Sequence, residues 1–147
     1  MQLDRSDHES LARWAADCAE HVLPYFEQQF PEDHRPRRAI EAARAWQRDA
    51  LSMDEARAAA FAAHAAARDA TSHAAACAAA RAAGHAAATA HVATHAPHAA
   101  TYAATAAAHG AAEATGAAEA TARERAWQRQ QLLEHLHAMA FPARGNP

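Results

Sequence analysis

Two imidazoles four residues apart, His91 and His95, are the first place where this chain could do chemistry. On a helix, side chains at i and i+4 share a face. Two imidazole nitrogens placed that way can reach one zinc ion. A complete site needs a third or fourth ligand, and His98, His64, His73 or a carboxylate could supply it. The H-E-x-x-H arrangement is absent, because Val92, Ala93 and Thr94 stand between the pair. A chain with twelve histidines also forms such pairs by chance. The competing reading makes His91 and His95 half-buried packing residues, or part of a solvated stripe. That stripe runs through His91, His95, His98, Tyr102, Thr105 and His109, at alternating i+4 and i+3 steps. It is either a polar seam against another helix or the wet edge of a helix that packs through its alanines. Partial burial of His91 and His95 and exposure of His109 are expected.

Other reactive side chains are sparse. Cys18 shares a helical face with Trp14 and Val22, the usual setting of a buried thiol. Cys77 has Arg81 one turn on, where a cation would favour the thiolate. Glu32, Asp33, His34 and Arg35 form a mixed-charge loop, read as a solvated turn before a helix start. Arg37, Arg38, Arg44 and Arg48 come next, a mixture suited to intramolecular ion pairs. The chain contains no G-x-G-x-x-G, P-loop, G-x-S-x-G or C-x-x-C pattern. No catalytic residue and no cofactor are assigned.

The elements that would carry these residues are helices. Strand patterns are missing, and alanine is the strongest helix former. Ser6 with Glu9 reads as a capping box opening a first helix, with Leu11, Trp14, Cys18 and Val22 inward and Pro24 ending or kinking it. Pro36 suits the first turn of a second helix, which places Ile40, Ala43 and Trp46 on one face and stops near Asp49. Ser52 with Glu55 caps a third, from about Met53 to Ala70. Ser72 is expected to cap a fourth that Gly84 stops. A fifth runs from His85 to His109, kinked or restarted at Pro97. Gly110 and Gly116 mark a break, and Thr121 with Glu124 is a further capping-box candidate before a last helix. In that helix Leu132, Leu136 and Met139 face inward and Arg123, Arg125 and Arg129 outward. Phe141-Pro142 ends it. The fold expected is all-α, a helical bundle or stacked antiparallel helix pairs of about six to seven helices. It forms a single domain over residues 1–142, with 143–147 a frayed tail.

Composition narrows the function classes. The chain has 147 residues, 51% of them apolar but mostly alanine. Alanine buries little area, so the core depends on larger residues near the two ends, from Leu11 to Phe61 and from Trp127 through Leu132 and Leu133 to Met139. These ends are expected to fold over the alanine-rich centre. A net charge of −3 and a pI near 6.4 argue against a general nucleic-acid binder. Two distant cysteines make no disulfide framework and suit a reducing compartment. The polar N-terminus shows no signal peptide, and no run is apolar enough to span a bilayer. A cytoplasmic location is expected.

Several strings carry a resemblance. They are L-A-R-W-A-A-D-C-A-E-H-V-L-P-Y-F from Leu11, R-P-R-R-A-I-E-A-A-R-A-W-Q-R from Arg35, A-R-A-A-G-H-A-A-A-T-A-H-V-A-T-H-A within Ala79–Ala103, and R-E-R-A-W-Q-R-Q-Q-L from Arg123. Together they resemble the immunity-five-like family of bacterial immunity proteins from polymorphic toxin systems. Pro97 departs from the pattern, which has a non-proline after T-H-A. The resemblance implies an all-helical, non-enzymatic protein whose partner is another protein, a toxin that it neutralises. It carries over no catalytic residues. The acidic loop at Glu32 and Asp33 is the surface suggested for meeting a basic partner, while neither the binding face nor the oligomeric state is legible. The alternative is a small helical metal- or ligand-binding protein that uses His91 and His95.

Overall fold

The computed structural model describes residues 3–111 and 114–142, with Ala114 and Thr115 described by their backbone alone. The first helix, α1 (Arg5–Glu27), opens on Asp4, whose carboxylate accepts from the Asp7 N–H at 2.8 Å. The expected Ser6–Glu9 box is therefore not the start. Beginning at Arg5 lets Glu9 pair with Arg5 at 2.8 Å instead. Pro24 does not end α1 either. Pro24 and Glu20 both lie on the exposed side. On an exposed side a carbonyl that loses its donor can bond to water instead, and the helix runs on to Glu27. The inner side of α1 is continuous, with Leu11, Trp14, Cys18, Val22, Leu23 and Phe26 buried.

Helix α2 (Arg35–Gln47) carries Pro36 in its first turn and buries Ile40, Ala43 and Trp46, as the spacing predicts. Asp49 turns the chain with φ 61°. Ser52 then caps α3 (Met53–Asp69), accepting from the Glu55 N–H at 3.1 Å. Helix α4 (Ala74–Ala88) begins after His73 without a side-chain cap, so Ser72 does not serve. It buries alanines around most of its circumference, from Ala76 through Ala87, as a central helix must. Gly84 is no stop signal. It lies buried inside α4, where a Cβ would sit 2.6 Å from Cε1 of His64. The glycine is there for close approach.

Pro97 sets the course of the chain after α4. A helix running through it would lose a hydrogen bond and meet the carbonyl one turn back. The chain ends α4 at Ala88, turns, and starts α5 (His95–Gly110) with Pro97 in the first turn, where a helix makes no i→i−4 bond of its own to lose. The Thr89 hydroxyl donates to the His85 carbonyl at 2.9 Å and helps close α4. The six-residue stripe is therefore broken: His91 stands in the α4–α5 connection, and the rest lie on α5.

Helix α6 (Ala114–Gln130) runs through Gly116 and Thr121 without a break. The Thr121 hydroxyl bonds back to the Ala117 carbonyl at 2.9 Å, so no new helix starts there. A 3₁₀ turn (Glu134–Leu136) and the short α7 (His137–Ala140) complete the described chain. Residues 143–147, expected as a tail, lie outside the described residues, as do 112 and 113.

The large residues of α1, with Leu132 and Leu136 from the other end, do close over the alanine helices in one core cluster. Trp46 and Leu51 belong to a smaller second cluster, and two expected core residues join neither: Phe61 is 61% and Leu133 54% exposed. Fully buried Gln128 fastens α6. Its amide donates to the Ala100 carbonyl and its backbone carbonyl accepts from the Trp14 indole, both at 2.8 Å.

Candidate functional site

Helices α3, α4 and α5 bring four histidines to one edge. On α5, His95, His98 and Tyr102 fall at i, i+3 and i+7, a single face. Across from them, α4 presents His85, and α3 presents His64. His85 is the hub. Its Nδ1 lies 3.0 Å from Nδ1 of His95, with the rings stacked at 5.2 Å. Its other stacked neighbour is Tyr102, at 5.2 Å with only 7° between planes. His98 sits 5.4 Å away, and His64 meets His85 edge-on at 4.9 Å. Gly84 gives the His64 ring its place.

No charge supports these rings. Burial pushes His85 down to about 3, with His64, His95, His98 and Arg81 acting in the same direction. Burial also lowers His64, helped by Arg81 and Arg68, and lowers His95, helped by His98 and His91. At neutral pH the His85–His95 contact thus joins two neutral rings, one donating its Nδ1–H and the other accepting. The cluster offers imidazole lone pairs, the ligands that zinc, copper and nickel prefer. Among the described residues, no three His, Cys, Asp or Glu side chains are already arranged to hold a metal ion.

The two sequence candidates fare differently. His95 is half-buried in this cluster, while His91 is exposed in the connection, its Nδ1 3.4 Å from Sδ of Met53. His109 is exposed, as expected. The residue that sequence reasoning missed is His85. Its signal was the Gly84-His85 dipeptide inside an alanine helix, where glycine has no conformational reason to be.

A second polar place lies between α1, α5 and α6, a cleft of about 850 Å³. There His21 Nδ1 lies 2.8 Å from a carboxylate oxygen of Glu124, which is only 7% exposed. The His21 ring stacks on Trp127 at 3.8 Å. A histidine–carboxylate pair can move protons. The side chains lining the cleft among the described residues include no serine or cysteine nucleophile for it to activate. Cys18 is buried, and burial pushes its thiol well up, which makes it inert. Cys77 is half-buried beside Arg81, which also reaches Tyr102.

The charged loop is structural. Arg35 grips Asp33 at 2.9 and 2.7 Å and Asp69 at 2.9 Å, which holds Asp33 below the usual carboxylate range. Arg37 pairs with Glu27 at 2.8 and 2.7 Å, and Arg44 with Asp17 at 2.9 Å and Glu20 at 2.6 Å. Of the arginines expected to form ion pairs, Arg37 and Arg44 do, and with Arg35 they staple α2 to its neighbours, while among the described residues Arg38 and Arg48 form none. Glu32 stays exposed.

No curated protein and no solved structure matches this chain. A family model does, across residues 1–135 of the 147. The match takes in the arginine ladder of α2, the whole imidazole edge and the Gln128 anchor of α6. The chain belongs to the Imm-5 like putative immunity protein family.

Proposed function

We propose that this protein is a non-enzymatic immunity protein of a bacterial toxin system, which binds a partner toxin and blocks its action in the cytoplasm. The observation that carries the reading is the family match over nearly the whole chain. Among the described residues, the cleft of the His21–Glu124 pair is lined by no serine or cysteine, and Glu124 is spent on holding α6 to α1. No helix among them is long and apolar enough to cross a membrane. The net charge of −3 is compatible with a basic toxin surface, and exposed Glu32 remains available to meet one.

The test is co-expression with the toxin-like proteins encoded beside this gene. Protection of growth, together with co-purification of the two chains, is expected for one of them. If every neighbouring toxin kills equally with and without this protein, and none co-purifies, the reading fails.

A further inference from the structure

We propose that His85 and His95 are two ligands of a site for a borderline transition-metal ion, zinc, copper(II) or nickel(II), with His98 closing on it as the third. The geometry already holds half of that site. Two imidazole nitrogens bound to one tetrahedral zinc at about 2.0–2.1 Å stand roughly 3.3 Å apart. The two Nδ1 atoms here stand 3.0 Å apart and face each other. A metal replaces the hydrogen bond between them. The donor ring moves its proton from Nδ1 to Nε2, both Nδ1 lone pairs turn to the ion, and the pair releases no proton.

The third position needs little movement. His98 lies on α5 one turn past His95, exposed, with its ring 5.4 Å from that of His85. Rotation about its own side-chain bonds brings it toward the pair, and water fills what remains. His85 already stacks on Tyr102 and lies against His95, and His64 meets its edge over Gly84. Rings packed in this way lose little freedom in the small rotations that turn their Nδ1 lone pairs to the ion.

The neighbours select the metal. The groups acting on His85 are His64, His95, His98 and Arg81, with no carboxylate among them. Oxygen-seeking calcium and magnesium therefore find no ligand, whereas neutral imidazoles suit the zinc–copper–nickel group. Arg81, whose guanidinium carbon lies 5.9 Å from the centre of the Tyr102 ring, repels any dication and limits the affinity. His91 also acts on His95 from the adjacent connection, but bonds toward Met53.

The proposal does not rest on the immunity reading, and its test needs no toxin. Tag-free protein is titrated with Zn²⁺, Cu²⁺ and Ni²⁺ against a chromophoric chelator. One equivalent is expected to bind. His85→Asn and His95→Asn should each weaken binding at least tenfold, His98→Asn less, and His91→Asn not at all. Copper EPR of the unaltered protein covers the case where a variant misfolds, with hyperfine coupling to at least two imidazole nitrogens expected. Absence of binding overturns the proposal. So does a loss on His91→Asn equal to that on His85→Asn, which would place the ion at the His91–His95 spacing instead.

Discussion

Along the α1–α2 edge, Arg37 meets Glu27, and Arg44 meets Asp17 and Glu20; along the α3–α4–α5 edge, His64, His85, His95 and His98 meet one another. On the first edge each cation faces an anion, and every lone pair used is used internally. On the second, rings meet without a counter-charge, burial lowers the basicity of His64, His85 and His95, and lone pairs are left over. The first arrangement holds helices in place. The second is costly to assemble, because polar rings are half-buried for the sake of contacts with each other. Polar side chains on two helix edges thus do different work, and the sign of their neighbours tells which.

The sharpest way to break that contrast is at Gly84. Gly84→Val puts branched carbon where the His64 ring lies, and should destabilise the fold by about 2–3 kcal/mol in denaturant melts. Gly84→Ala should be near neutral, because its gain in helix propensity of about 1 kcal/mol offsets the shift forced on His64. That shift should still appear in the His64 resonances.

Acid separates the edges next. His85, His64 and His95 have lowered values in the fold, so the unfolded chain binds protons that the native state does not. Their contribution is complete above the unfolded value near 6.5 and is lost as pH falls below it, for His85 down toward about 3. The carboxylates of Glu27 and Asp33 are also held low, by Arg37 and Arg35, so their contribution is lost only below the ordinary carboxylate range near 4. Urea melts between pH 7 and 5 should therefore show a stability loss that His85→Asn reduces and Arg37→Ala does not.

Salt reverses that pattern with a smaller effect. Arg44→Ala should cost about 1 kcal/mol at low ionic strength and less at high salt, since both its partners are partly exposed. The stability difference between His85→Asn and the parent should not change with salt. Equal salt sensitivity at both positions would erase the distinction.

The helices were legible because alanine content, Pro36 and the Ser52–Glu55 cap all point one way. The arginine ladder was legible because arginines and acids crowd the same segments. What failed were signals with two physical meanings. Gly84 reads as a helix stop until His64 is seen against it, and that contact lies twenty residues away in sequence. Glu124 reads as a capping residue until His21 is found beside it, 103 residues earlier. Pro97 allowed a kink or a new start, and the chain takes the latter, ending α4 at Ala88 and placing Pro97 in the first turn of α5. The imidazole hub was hidden for the same reason: His85 and His95 looked like members of one helix and are on two.

The contrast between the edges rests on the charge state of His85. Its ring nitrogens can be followed by long-range ¹H–¹⁵N NMR from pH 7.5 to 5. The ring is predicted to stay neutral throughout, with one nitrogen protonated, and to remain so while the protein is folded. A His85 ring that takes up its second proton near pH 6.5 in the folded state would contradict the account.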